Sequence, residues 1–235
     1  MRNDQSPDLK TVWIVVPALN EATTIADVVT GLADLGYPNI CVVDDGSRDA
    51  TAEEATANGA HVLSHIINFG QGAALQTGIS YALGKGARYV CTFDADGQHS
   101  PKSIDSLLTA LLGARADVAL GSRFVTKTSA VPRRRRLLLG AALLFTRFHA
   151  RLNVTDTHNG LRAFTRRAAE LITINQAHMA HASEILQKIG TAKLSFVEVP
   201  VEVSYSLYSR RKGQSGFDFI KILLDLLYRS IALRP

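Results

Sequence analysis

Asp94 and Asp96 stand one residue apart, directly after the apolar run 89–93 and shortly before Gly97 and Pro101. Gly97 and Pro101 make a turn the expected geometry, and a turn would bring both carboxylates to one crevice. A hard divalent cation, Mg²⁺ or Mn²⁺, takes oxygen ligands, often one or two carboxylates completed by substrate phosphates. Gln98 could add a carbonyl oxygen. The plain alternative is a solvated turn carrying two acids. A second cluster, Val42-Val43-Asp44-Asp45-Gly46-Ser47, places a carboxylate where a ribose or base edge could be bound. Ser47 or Asp49 could equally cap the helix that follows. Both can hold, with Asp45 binding and Asp49 capping.

Other patterns exclude chemistry. Gly70-Gln71-Gly72 opens a helical stretch, but the third glycine, Gly78, falls too late for the dinucleotide fingerprint. Gly84-Lys85-Gly86 lacks the Ser or Thr that a phosphate loop needs after its lysine. His178-x-x-His181 has metal-pair spacing without an evident third ligand, and reads better as two histidines on a helix surface.

The elements that must position these residues follow from periodicity. Apolar runs at 12–17, 40–44, 61–65, 89–94 and 118–121 read as strands. They alternate with helical patterns at 21–35, 49–58, 72–84 and 101–112. Continuous apolar strands alternating with helices imply a parallel sheet covered on both faces, with ligands at the carboxyl ends of the strands. The polar clusters fall at those ends. The second half is less regular: 156–164 is loop-like and then strand-like, 179–189 reads as a helix and 195–203 as a strand. A basic, glycine-containing loop at 205–216 precedes a last helix at 217–233. The expected fold is α/β, one Rossmann-like, mainly parallel sheet flanked by helices, with residues 1–216 as the catalytic domain and 217–235 as an amphipathic C-terminal helix.

With 46% hydrophobic and 20% charged residues the chain is globular rather than disordered. A net charge of +5 suggests a polyanionic partner: nucleic acid, an anionic membrane or a phosphorylated substrate. Its arginines cluster in one run and one loop without the interleaved aromatics of a single-strand platform, which argues against nucleic acid. Cys41 and Cys91 lie in strand-like runs and read as buried thiols, so nothing requires an oxidising compartment. The N-terminal ten residues are polar, without the apolar core of a signal peptide, and no run of about 18 apolar residues suggests a transmembrane helix.

Taken in order, Val15-Val16-Pro17-Ala18-Leu19-Asn20-Glu21, the 42–47 cluster, Asp94-Ala95-Asp96-Gly97-Gln98-His99 and Gly121-Ser122-Arg123-Phe124 resemble the family 2 glycosyltransferases. Asp156-Thr157-His158-Asn159-Gly160-Leu161-Arg162 and Arg210-Arg211-Lys212-Gly213-Gln214-Ser215 extend the likeness to the dolichyl-phosphate mannose synthase and bacterial polyprenyl-phosphate sugar synthase branch. Three features depart from the pattern: Gln71 replaces a common basic residue, Gly216 a common lysine, and the C-terminal transmembrane hairpin of many bacterial members is missing.

The resemblance implies a GT-A fold and inverting, metal-dependent transfer from a nucleotide sugar to a polyprenyl phosphate such as undecaprenyl phosphate. A UDP-sugar is the favoured donor and GDP-mannose its main rival. It implies that Pro17, Ala18, Glu21, Asp45 and Asp94 border the nucleoside. It puts Asp94, Asp96 and Gln98 around Mg²⁺ or Mn²⁺, and Arg123, Arg162 and Arg210 around the donor diphosphate or acceptor phosphate. A phosphate acceptor is ionised at neutral pH and needs no strong base. A sugar hydroxyl, the alternative acceptor on a saccharide or lipid-linked oligosaccharide, normally needs one. Glu184 is the late acid best placed for that role; its plain alternative is an i,i+4 pair with Lys188. A non-catalytic membrane adaptor with a transferase fold is disfavoured by the intact Asp45, Asp94 and Asp96.

Two segments bear on location. Arg133 to Arg136 precede the apolar stretch 137–145, which suits anionic head groups, each cation contributing ~1 kcal/mol. In 217–233, Asp218, Lys221, Asp225 and Arg229 form one polar stripe on an otherwise apolar helix. The expectation is a cytoplasmic protein, peripheral at the inner face of the cell membrane, held by such helices or by a small membrane partner.

Overall fold

The computed structural model describes residues 7–125, 152–157, 159–177 and 180–203. The two segments read for membrane contact, the 205–216 loop with Arg210, and His178 lie outside the described residues.

One seven-stranded sheet organises the described residues: β1 (Val12–Ala18), β2 (Ile40–Asp44), β3 (His61–Ser64), β4 (Tyr89–Thr92), β5 (Val118–Ser122), β6 (Arg162–Thr165) and β7 (Phe196–Pro200). Around it pack α1 (Ile25–Asp34), α2 (Thr51–Ala57), α3 (Gln71–Gly84), α4 (Ser103–Gly113), α5 (Arg166–Leu171) and α6 (His181–Thr191). The strands lie in the order β3-β2-β1-β4-β6-β5-β7.

Strand alternation divides the core in two. Val12, Ile14 and Val16 of β1 face the layer of α1 and α4, with Ile25, Leu32, Leu107 and Leu111. Trp13 and Val15 face the opposite layer, with Leu75 and Ile79 of α3 and Leu186 and Ile189 of α6. Each such fully buried side chain contributes about 1.5–3 kcal/mol of transfer free energy. Helix α3 lies hard against β1: a Cβ at Gly78 would come within 2.3 Å of Val15 Cγ1. Cys41 and Cys91 are buried and unpaired, as their runs imply. Burial pushes the Cys41 thiol up to about 12.

One boundary and one short helix differ from the periodicity. The helix expected from residue 21 begins at Ile25, because residues 20–24 form a turn. Asn20 adopts φ 54°, the Glu21 amide donates to Thr51 Oγ1 (2.8 Å) and the Ala22 amide to Asp49 Oδ2 (3.2 Å). Those side chains take donors that a helix would have left unsatisfied. Helix α5 was not anticipated; Thr165 caps it by accepting from the Ala168 amide.

Strand direction agrees with the expected mainly parallel sheet, with one strand reversed. β1 pairs in parallel with β2 and β4, β2 with β3, and β5 with β7. β6 is inserted antiparallel between β4 and β5, so the sheet is mainly rather than wholly parallel. Thr92, at the end of β4, pairs with Arg162, the first residue of β6, and Leu120 of β5 does the same. A strand running the other way thus begins where its neighbours finish.

Tyr37 is fully buried and its hydroxyl donates to Asp105 Oδ1, tying the segment after α1 to α4. Burial, followed by the bond to Asp105, drives the phenol well above its ordinary range.

Candidate active site

A cavity of about 540 Å³ opens at the carboxyl ends of β1, β2 and β4 and reaches the start of β6 and the first turns of α3 and α6. Pro17, Ala18, Glu21, Asp45, Asp94, Asp96 and Arg162 line it together. Leu19, Asn68, Gly70, Gln71, Asn159, Gly160 and His181 complete most of the wall. Residues separated by more than 140 positions in the sequence converge here because parallel strands end together and β6 begins among them.

Asp94 leaves the sheet just beyond β4. Its carboxylate meets His99 Nε2 and Gln71 Nε2, each at 3.4 Å, and a quarter of the side chain (25%) is exposed to the cavity. Gln71, which departs from the family pattern, therefore works as an amide donor to this carboxylate. Gly160 presses against the same group: a Cβ there would sit 2.5 Å from Asp94 Oδ1. Burial alone would raise the Asp94 carboxyl, but the hydrogen bond and charge of His99, with the charges of Arg162 and His181, hold it below the usual carboxylate range. Asp96 goes the other way. Burial pushes it up, the Gln98 amide (3.0 Å to Oδ1) opposes, and the charge of Asp94 adds to the rise.

Two carboxylates facing one cavity, one of them pushed toward its neutral form partly by the other, suit a divalent cation completed by phosphate oxygens. Among the described residues there is no group of three or more His, Cys, Asp or Glu side chains arranged to hold a metal. Gln98 engages Asp96 through its backbone and is not among the residues lining the cavity.

Arg162 is buried (4% exposed) and keeps a cation at the cavity wall. Burial lowers its pKa to about 10, against the pull of Asp94 and Asp156, so it stays charged at neutral pH. Asp156 also grips Arg123 in a fork, Nε to Oδ2 at 2.7 Å and Nη2 to Oδ1 at 2.8 Å. Arg123 is therefore joined to Arg162 through a shared carboxylate and does not line the cavity itself. Next to it, Thr155 donates from backbone and hydroxyl to Glu198 Oε1 (2.8 and 2.9 Å).

Glu184 lies away from the lining residues. It accepts from the amides of Asn175 (3.0 Å) and Gln176 (2.8 Å) and pairs with Lys188 at 3.1 Å, the i,i+4 contact expected as its plain alternative.

Some participants were not assigned from sequence. His181 is buried, not on a helix surface, and it lines the cavity. The first turn of α6 is pressed onto α3, where a Cβ at Gly72 would meet His181 Cβ at 2.9 Å. The signal was present: His181, Ile185 and Ile189 recur at helical spacing on the buried face. His99 and Asn159 each bury one polar atom, Nδ1 and Nδ2, without a hydrogen-bond partner among the described residues. Both stand inside the quoted motifs, but nothing in their spacing marks them as buried.

The family model for glycosyl transferase family 2 matches residues 13–173. The UDP-N-acetylglucosamine–dolichyl-phosphate N-acetylglucosaminyltransferase of Methanococcus voltae is 30% identical over 239 residues, covering 93% of this chain and 95% of the relative. The undecaprenyl-phosphate mannosyltransferase of Micrococcus luteus is 32% identical over 217 residues, 87% of this chain and 86% of the relative. In fold, the chain resembles glucosyl-3-phosphoglycerate synthase from Mycobacterium tuberculosis, solved with Mn²⁺, UDP and glucosyl-3-phosphoglycerate. The TM-score is 0.63 at 22% identity, over 92% of this chain and 80% of that one. The chain belongs to glycosyl transferase family 2 and is a glycosyltransferase of GT-A fold.

Proposed function

We propose that the enzyme transfers a sugar from a nucleotide sugar, a UDP-sugar before GDP-mannose, to a polyprenyl phosphate, with inversion at the anomeric carbon. The observation that carries this reading is the buried Arg162 facing the same cavity as Asp94 and Asp96. A fixed cation and a carboxylate pair in one crevice answer the two demands of the reaction, a diphosphate leaving group and an anionic nucleophile. The acidic pair Asp94 and Asp96 would hold Mg²⁺ or Mn²⁺. Bound there, the metal would supply Lewis-acid stabilisation of the departing diphosphate. Pro17, Ala18, Glu21 and Asp45 form the nucleoside end. Arg162 stabilises charge on the diphosphate or acceptor phosphate, and Arg123 and Arg210 are proposed to serve the same phosphates. The acceptor phosphate oxygen attacks the anomeric carbon as the bond to the diphosphate breaks, and no proton need be removed from it at neutral pH.

Relatives named for dolichyl-phosphate and undecaprenyl-phosphate transfer support a polyprenyl acceptor. They differ in the sugar, N-acetylglucosamine in one and mannose in the other, so the donor rests on the UDP of the first and of the fold neighbour. No helix among the described residues is long and apolar enough to cross a membrane. A lipid acceptor then calls for a peripheral position at the inner membrane face, through the 133–145 and 217–233 segments or a small membrane partner.

The test is a panel of labelled UDP- and GDP-sugars with undecaprenyl phosphate and Mg²⁺ or Mn²⁺. An organic-phase product from one donor is the expected result. Product that stays in the aqueous phase, on an added saccharide, would overturn the acceptor assignment.

A further inference from the structure

We propose that His65 is a positioning residue for the nucleotide: through Asp45 it fixes the loop 66–70, whose Asn68 and Gly70 form one wall of the cavity. The proposal rests on reading that cavity as a nucleotide-sugar site.

Asp45 is almost fully buried (3% exposed), and three protein donors already use its carboxylate. Oδ1 accepts from His65 Nδ1 at 2.7 Å and from the Phe69 amide at 3.0 Å, and Oδ2 accepts from the Gly70 amide at 2.7 Å. An ionised carboxylate only accepts, so the hydrogen sits on Nδ1 of the imidazole. The other ring nitrogen lies 3.0 Å from Thr77 Oγ1 on α3, and the ring packs edge-on against Phe69 at 5.2 Å between centroids. His65 is thus pinned at both nitrogens, with its own amide donating to the Asp44 carbonyl at 2.9 Å. It steadies the carboxylate that in turn holds two loop amides.

Nothing apolar can do this work. Ile66, Ile67 and Phe69 are 97%, 60% and 49% exposed, so burial stabilises this loop very little. The turn after β2 closes on it from below, where a Cβ at Gly46 would meet the Ile67 carbonyl carbon at 2.8 Å. The loop's shape is therefore set by polar contacts to one carboxylate. Asp45 acts at the nucleoside end largely by presenting its neighbours, and His65 acts through Asp45.

The experiment measures binding of UDP and of GDP with Mn²⁺ by calorimetry, donor KM and kcat, and amide exchange at Phe69 and Gly70. His65→Asn keeps an amide donor near the Nδ1 position; His65→Gln moves it toward Nε2 and away from Asp45. His65→Ala and His65→Gln are expected to weaken binding of the preferred nucleotide about tenfold, the scale of one hydrogen bond to a charged group. They should raise KM more than they lower kcat and speed exchange at both amides, and His65→Asn should restore all three. Wild-type nucleotide affinity in His65→Ala or His65→Gln, or failure of His65→Asn to recover it, would overturn the clamp. If His65→Ala does not fold, the Gln and Asn pair decides. Wild-type protein that binds neither nucleotide would instead overturn the reading of the cavity on which the proposal stands.

Discussion

The two halves of the sheet do the same job by different means. On the β3-β2-β1 side every pairing is parallel and the core is continuous hydrocarbon, with Val43, Val15 and Ile79 in contact layers. On the β4-β6-β5-β7 side one strand is reversed, and near it lie the buried Arg162 and Asp156 with the partly buried Arg123, Thr155 and Glu198. The first half is stabilised by area removed from water, a term that tolerates small changes in geometry. The second has an apolar core of its own, with Val118, Leu120 and Phe164, and adds charges matched in a low-dielectric setting, where loss of one member strands the others. The hydrocarbon core of the first half therefore should be robust, and the polar network of the second brittle.

The largest effect should fall where the halves meet. Asp96→Ala is expected to cut turnover at least about a thousandfold by removing metal stabilisation of the leaving group. Circular dichroism should stay unchanged, and near wild-type turnover in EDTA would refute the metal's role. Arg162→Ala comes next and should damage both readouts. Removing this buried cation takes its charge away from both Asp94 and Asp156, at a cost of about 3–5 kcal/mol in urea unfolding, with a severe loss of turnover. An Arg162→Ala protein as stable as wild type would mean that the polar half is not brittle.

Tyr37→Phe probes the layer of α1 and α4 that spans both halves. It removes the bond to Asp105 and should cost about 1.5–3 kcal/mol while leaving donor KM unchanged. The sign with pH follows from the raised phenol. The folded state keeps the proton that the unfolded chain releases near its ordinary value of about 10, so this contribution is full below that pH and is lost above it. The stability gap between wild type and Tyr37→Phe should therefore narrow as pH rises beyond about 10, and a constant gap would contradict the assignment. Glu184→Gln is the mildest. One acceptor oxygen survives for the 175–176 amides and only the pair with Lys188 is lost, at about 1 kcal/mol or less. Turnover should remain within an order of magnitude. A loss of about 10² to 10⁴ would signal a general base and favour a sugar hydroxyl as acceptor.

The same contrast explains what could be read from sequence. Strands β1, β2, β4 and β5 and helices α3 and α4 appear within one or two residues of their hydrophobic runs, because burial on both faces writes itself into composition. The carboxyl-end clusters then put Asp45, Asp94 and Asp96 at one end of the sheet, where all three line the cavity, since a parallel sheet leaves few other places for them. The reversal of β6 was not legible. Arg162-Ala163-Phe164-Thr165 looks the same either way round, and only its pairing with β4 and β5 fixes its sense. Nor was the partner of a charge: Arg123 and Arg162 resemble each other in sequence, yet one is forked onto Asp156 and the other faces the cavity. His181 was misjudged because two histidines drew attention as a pair, while the phase shared by His181 with Ile185 and Ile189 was what mattered.

The reversed strand has a consequence for how such an enzyme can diversify. β6 starts at the cavity and leads away from it, so the chain before Arg162 is delivered at the mouth of the site without belonging to any strand that builds the donor end. The pairings of β1, β2 and β3 use no residue between 123 and 161, so sequence there can vary without altering them, provided Arg123, Asp156, Asn159 and Gly160 keep their places. New acceptors can in this way be tried on an unchanged donor platform, with Asp94, pressed by Gly160, as the point where any new insert must still fit.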